Sequence, residues 1–264
     1  MSALPPGESS QTLLRELETT GVRLYPHTLD TDAFEYFSKY NYGLWQPPQS
    51  RRDWIRQWTG PGEFLDIGCG GYPATMDVPS GGERGIGADI APEAARRYRN
   101  YFREFYLFNI ERIRLGEVPE LAGRFNTVVM SETLEHFREP LAALRKAAAF
   151  LHPGGRLLVT YPNASSFAQL VDYYGHGGRW HRFRDFHRSH IYLVRKERLE
   201  TLFAAAGLDI AHFDFRPSDI GIEGVPPESN RAWRMIAASW PSFLGHQFFY
   251  VLTPAVPSSG GAHP

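Results

Sequence analysis

The stretch FLDIGCGGYP, residues 64–73, ends an apolar run on an acid and then gives up side chains, so that something can come close to the backbone. A glycine-rich turn after the first strand of an open α/β sheet lets main-chain N–H groups approach a nucleotide, and an acid closing the second strand meets ribose hydroxyls. Asp89, in GIGADIAPE, has that place, 23 residues after Asp66 (89 − 66). The dinucleotide spacing G-x-G-x-x-G fits Gly68 and Gly70 but meets Pro73 at its third position, which weakens a nicotinamide or flavin oxidoreductase reading. A second cluster is Glu132, Glu135 and His136, whose spacing on a helical turn puts all three on one side. With a later histidine such as His190 they would form an oxygen and nitrogen set able to hold Mg²⁺, Mn²⁺ or another divalent ion. His136 alone, of a residue type that titrates near neutrality, suits proton removal from an alcohol or phenol. Its bland alternative is a brace for its own loop.

The elements that must position these residues alternate along the chain. The runs EFLDI, RGIGAD, EFYLF, FNTVVMS and GRLLVTYP read as strands, and PEAARRYRNYF and EPLAALRKAAAFL read as helices between them, the signature of βαβ units and a parallel sheet. Pro92 and Pro140 sit at helix starts, and Pro153-Gly154-Gly155 marks a stop and a turn into the next strand. KERLETLFAAAG reads as a helix closed by Gly207; LDIAHFDF, a helical SNRAWRMIAASW and a last strand HQFFYVL follow. The expected fold is α/β: a doubly wound, Rossmann-like, seven-stranded and mostly parallel sheet with an antiparallel last strand and an N-terminal helical cap. Within residues 1–58 the first 30 or so look like a loose lead-in, and the aromatic-rich part from Phe34 to Trp58 looks like short helices folded over something, in core packing or as a lid over a ligand. The main domain spans 59–253, with an acceptor-side insertion at about 165–190, and 254–264 is a flexible tail.

Composition narrows the class. Of 264 residues 42% are hydrophobic and 22% charged, near globular averages. Lys plus Arg (28) nearly cancel Asp plus Glu (29), so no global field marks a binder of nucleic acid or of anionic membrane. One cysteine, Cys69, excludes an internal disulfide framework and any multi-cysteine metal site. No apolar stretch is long enough to span a bilayer and the N-terminal residues lack a signal-peptide pattern, so a cytoplasmic protein is expected.

Four phrases in one collinear series carry a resemblance: Asp66-Ile-Gly-Cys-Gly70, then Gly-Ala-Asp89-Ile-Ala-Pro-Glu, then Ser-Glu132-Thr-Leu-Glu135-His136-Phe, then Leu-His-Pro-Gly-Gly-Arg-Leu-Leu-Val-Thr-Tyr-Pro-Asn. Across roughly residues 60–215 the chain resembles a class I S-adenosylmethionine-dependent methyltransferase, similar to the type 11, 12 and 23 enzymes that act on small molecules. The resemblance implies S-adenosylmethionine as cofactor. It implies that Gly68 and Gly70 pass their backbones along its methionine end, with Asp66 holding the loop and reaching the amino group. Asp89 would accept hydrogen bonds from both ribose hydroxyls. Ile90 would lie on the adenine face, and Asn109, followed by Ile110, would take the adenine amino group where the family usually has an acid. Cys69 and Ser131 join them as cofactor-contacting positions. Tyr72 stands where the family's turn often has a third glycine.

The phrase around Glu132, Glu135 and His136 looks like the metal site of small-RNA 2′-O-methyltransferases and is similar to the E-x-x-E-H segment of ubiquinone-pathway O-methyltransferases. The same phrase is common in family members not thought to use metal, so no metal is assigned, and whether these residues and His190 hold one is left open. Residues 176–198 carry seven Arg and Lys against two acids, interleaved with aromatics, either a solvated cover or an acceptor-binding element. The expected function is methyl transfer to an oxygen or nitrogen of a small molecule, with His136 as the catalytic residue. The alternatives are a metal-assisted RNA 2′-O-methyltransferase, disfavoured by the missing wider basic surface, and a non-catalytic module that keeps the fold as a scaffold.

Overall fold

The computed structural model describes residues 10–29, 47–70, 72–180, 190–217 and 231–255. Its strands are β1 (Arg23–Leu24), β2 (Phe64–Ile67), β3 (Gly85–Asp89), β4 (Glu104–Leu107), β5 (Phe125–Ser131), β6 (Leu151–Pro162), β7 (Leu208–Pro217) and β8 (Gly245–Pro254). The helices that matter below are α1 (Ser10–Glu18), α2 (Gln49–Trp58), α3 (Pro92–Tyr98), α4 (Pro140–Ala149), α5 (Phe167–Gly175), α6 (Lys196–Ala205) and α7 (Arg231–Ser239).

The central strands are apolar on both faces because both faces are covered. Leu65, Ile67, Val128, Met130, Leu157 and Val159 face Ala143, Leu144 and Ala147 of α4 and Leu199 and Phe203 of α6. Their neighbours Phe64, Val129 and Leu158 point the other way, onto Leu13 and Leu17 of α1, Trp54 and Ile55 of α2, and Ala94 and Ala95 of α3. This two-sided alternation makes the sheet doubly wound. Strand order is β1-β4-β3-β2-β5-β6-β8-β7, parallel throughout except β8, which runs antiparallel to both β6 and β7. The order reverses between β2 and β5, so the crevice beyond their carboxyl ends is where such a sheet binds ligands.

Pro92 and Pro140 do open α3 and α4, where their missing N–H costs nothing. Gly207, at φ +76°, receives the end of α6. The sheet has eight strands rather than seven. β1 comes from the segment read as a loose lead-in: Arg23 and Leu24 pair with Tyr106 and Leu107, and Leu13 and Leu17 of α1 are fully buried. Residues 10–29 are thus part of the core. Pro153-Gly154-Gly155 is an irregularity within β6, whose register with β5 jumps from Phe125↔Leu151 to Thr127↔Arg156. The expectations for residues 34–46, 181–189 and 256–264 lie outside the described residues.

Candidate active site

β2 ends at Ile67, and the chain turns through Gly68 at φ +71° and Gly70 at φ +59°, the left-handed region that glycine enters without steric cost. The turn is also tight. A Cβ on Gly68 would stand 2.3 Å from Cγ2 of Thr133, in the loop after β5. The Thr133 hydroxyl, 3.3 Å from the Ile67 carbonyl, donates back to β2. The glycine turn and the β5 loop therefore interlock across the point where strand order reverses. Cys69, between the glycines, is buried, and burial next to Asp89 and Asp66 pushes its thiol well up, so it is an inert filler.

Two buried acids hold this turn. Asp66 receives the Thr75 hydroxyl at 2.6 Å, and burial pushes its carboxyl up to about 7 against that bond, with Asp89 adding to the rise. Asp89 accepts the Gly70 N–H at 2.8 Å on one oxygen and the Ala91 N–H at 2.8 Å on the other. Burial raises it to about 6, while the N–H groups of Ala91, Gly70 and Ile90 favour its charged form. With those N–H groups in place the carboxylate still has acceptor capacity for a further donor. Ile90 beside it is half-buried.

At the end of β4, the Asn109 side-chain oxygen accepts the Glu111 N–H at 2.9 Å, and the Asn109 N–H donates to the Thr28 hydroxyl at 3.0 Å. That oxygen already closes a local turn, so only its second lone pair is left for an adenine amino group. Ile110 is buried in the core on the α4 side. Ser131, ending β5, exchanges a hydrogen bond with Thr160 at 3.1 Å.

Of the expected cluster after β5, Glu135, His136 and His190 bring ligand atoms within 4.8 Å of one another, while Glu132, still close enough to act on the Glu135 charge, pairs with Arg51. Glu132 takes φ +51°, uncommon for a side-chain-bearing residue, with its N–H 3.1 Å from both the carbonyl and the hydroxyl of Thr160. This turn sends its carboxylate toward Arg51, Oε2 lying 3.6 Å from Nη2. The 3-10 turn Leu134–His136 brings Glu135 and His136 beside His190. Glu135 Oε1 lies 3.7 Å from His190 Nε2, and the His136 and His190 rings are 4.8 Å apart between centroids. Glu135 is fully buried, and desolvation, reinforced by the Glu132 charge, pushes its carboxyl well above the usual range. Its backbone carbonyl accepts the N–H groups of Ile191 and Tyr192 at 3.0 and 2.9 Å, which is what brings the distant His190 to it.

Arg51, on α2, is the participant that sequence reasoning missed. It is 3% exposed, with Nε 3.4 Å from Gln247 Oε1. Burial pulls its guanidinium down, and Glu132 and Glu135 hold it up. The signal was available: Arg51 precedes Trp54 and Ile55 by three and four residues, so it shares their inward stripe on α2. For Thr133 and Thr75 no local signal existed.

A doubly wound sheet with one antiparallel strand next to its edge and a glycine turn and acid at the reversal point defines a class I, S-adenosylmethionine-dependent methyltransferase fold. A family model described as a methyltransferase domain matches residues 47–212, and the chain belongs to that family. It is 33% identical over 106 residues to a ubiquinone biosynthesis O-methyltransferase of Xanthomonas euvesicatoria pv. vesicatoria, covering 39% of this chain and 44% of that protein. The chain thus spans under half the length of the curated relatives it matches. Among solved structures it is similar to a SAM-dependent methyltransferase from Thermotoga maritima, with 17% identity, TM-score 0.54 and coverage of 84% of this chain and 93% of that one. It is also similar to Haemonchus contortus phosphoethanolamine N-methyltransferase 2, solved with S-adenosyl-L-methionine, with 16% identity, TM-score 0.53 and coverage of 96% and 62%. Among the described residues no helix is long and apolar enough to cross a membrane.

Proposed function

We propose that this chain transfers the methyl group of S-adenosylmethionine to an oxygen or nitrogen atom of a small molecule. The observation that carries the reading is the Asp89 carboxylate, which accepts the Gly70 N–H at the glycine turn after β2, while the buried Glu135 and the half-buried His136 and His190 gather after β5, the strand across the reversal point from β2. The residues present fit the cofactor: a stripped, left-handed turn for close backbone approach, and an acid beside it with acceptor capacity to spare. When bound, S-adenosylmethionine supplies a methyl on a sulfonium, which needs chiefly an aligned nucleophile.

The protein's own work is positioning, worth several kcal/mol of barrier (about 7–11 in the most favourable intramolecular cases). Gly68 and Gly70 hold the methionine end, with Cys69 packed beneath them and Asp66 bracing the loop through Thr75. Asp89 orients the ribose; Ile90, Asn109, Ile110 and Ser131 line the remaining cofactor contacts. His136 would take the proton of an acceptor O–H while the donor's methyl–sulfur bond breaks with its electron pair going to sulfur, leaving a methylated oxygen, a neutral thioether and a protonated imidazole. The relatives' names support either acceptor atom, an O-methyltransferase in Xanthomonas and an N-methyltransferase in Haemonchus. The acceptor-side insertion at about 165–190 and the cap within 1–58 enclose the acceptor in this reading. Screening acceptor libraries for S-adenosylhomocysteine release tests the activity, and calorimetry with S-adenosylhomocysteine separates an enzyme from a scaffold: no binding at millimolar ligand refutes the proposal.

A further inference from the structure

Arg51 and Arg52 are consecutive on α2, so about 100° of helix rotation separates them and they leave it in different directions. They reach opposite sides of the reversal point. Arg52 goes to the donor side: its Nε donates to Asp77 Oδ2 at 2.8 Å, and its guanidinium lies 5.5 Å from the centre of the Tyr72 ring, both in the segment that follows Gly70. Arg51 goes to the acceptor side, with Nη2 3.6 Å from Glu132 Oε2 after β5 and Nε 3.4 Å from Oε1 of Gln247, a β8 residue paired with Pro162 at the carboxyl end of β6. The helix between them is fixed. Trp54 and Ile55 are buried in the core, and the Trp54 ring stands 5.2 Å from that of Phe249. A single packed element therefore holds both sides.

Stability alone does not require this arrangement. A buried guanidinium–carboxylate pair loses so much hydration that well-packed apolar side chains in its place are often as stable or more so, and the best-attested use of such a pair is to fix register. Glu132 adds a left-handed backbone, a second cost of the kind that collects at functional sites. We propose that α2 is a clamp that sets the width of the crevice, with Arg52 and Arg51 as its two positioning residues, one on the donor turn and one on the acceptor rim. The proposal rests on the reading of this crevice as the S-adenosylmethionine site. A ligand seated in the crevice binds well only when both sides stand at the right separation, so each arginine acts on affinity through the carboxylate it holds and not by touching the ligand. Releasing either side opens the clamp, and releasing the second then adds little.

The test is calorimetric titration of the full chain with S-adenosylhomocysteine, beside thermal melts that show each variant folded. Arg52→Gln, Asp77→Asn, Arg51→Gln and Glu132→Gln should each weaken binding at least about fivefold, the lower end of the usual coupling between sites. The deciding variant combines Arg51→Gln with Arg52→Gln: it should bind within about threefold of the weaker single variant, whereas independent effects multiply. Where Arg51→Gln does not fold, Glu132→Gln combined with Arg52→Gln makes the same comparison from the other partner. Effects that multiply overturn the clamp, as does a loss in Arg52→Gln beside parental affinity in Asp77→Asn, the mark of an arginine that contacts the ligand itself. Affinity unchanged in all the single variants overturns it too. A parent chain that binds no S-adenosylhomocysteine at millimolar ligand rejects the methyltransferase reading and the clamp with it, while a parent that binds and whose variants multiply rejects the clamp alone.

Discussion

Replacing Asp89 with Asn separates the fold's need for this side chain from the ligand's. In the folded chain the carboxylate accepts Gly70 and Ala91 N–H groups, both at 2.8 Å. An amide offers one acceptor and one donor, so one of those N–H groups would face an NH₂, at a cost of about 1–3 kcal/mol. Against this, burial has raised the Asp89 carboxyl from 3.8 to about 6, so keeping it ionised at pH 8 costs about 3 kcal/mol that Asn does not incur. The two effects nearly cancel. Stability should change by no more than about 2 kcal/mol, a shift of under about 8 °C in Tm for a chain of this size. Binding has no such compensation. Two ribose hydroxyls lose a charged acceptor, and allowing for what an amide oxygen still accepts, about 2–4 kcal/mol is lost, roughly 30- to 1,000-fold in Kd. Calorimetric titration of Asp89→Asn with S-adenosylhomocysteine at pH 8, beside a thermal melt, reads both quantities. A folded variant that binds within about threefold of the parent would refute the assignment of Asp89 to the ligand.

Gly68→Ala forces a side chain into φ +71° and against Thr133, and should cost about 2–4 kcal/mol in urea denaturation. Adding Thr133→Ala should recover the steric part, and no recovery would mean the strain lies elsewhere. His136→Gln should lower kcat by about 10²- to 10⁴-fold while S-adenosylhomocysteine affinity stays within about threefold; an unchanged kcat removes His136 from the chemistry. Asp66 and Asp89 both sit above their unfolded values, at about 7 and about 6, so the folded chain holds more protons than the unfolded one across that interval. Their contribution to stability is full below pH ~4 and is lost as pH rises through about 6 to 7, which melts of ligand-free protein between pH 4 and 8 would show as a falling component. Ligand affinity through Asp89 runs the opposite way, weakening as pH falls below about 6, and a flat affinity profile would contradict the role of the carboxylate.

The parts of this site that could be read from sequence are those set by local rules. Gly68, Gly70 and Asp89 announce themselves because a left-handed turn after an apolar run, and an acid closing the next run, are properties of neighbouring residues. Helix starts at Pro92 and Pro140 are legible for the same reason. The pairing of Glu132 with Arg51 was not legible, because it depends on a left-handed Glu held by Thr160 from the next strand and on a helix about eighty residues earlier. Nor was β1, since two residues are too few to show a period and Arg23-Leu24 becomes a strand only by lying against Tyr106 and Leu107. The engagement of Asn109 by Glu111 is a turn chemistry that the sequence permits without requiring.

The most direct measurement is a crystal structure of the chain grown with S-adenosylhomocysteine. The expected density runs along the Gly68 to Gly70 backbone, with both ribose hydroxyls within hydrogen-bond distance of the Asp89 carboxylate and the sulfur pointing toward His136. Ligand bound elsewhere, or Asp89 still closed on Gly70 and Ala91 with nothing beside it at saturating concentration, would contradict the assignment of this crevice to a methyl donor.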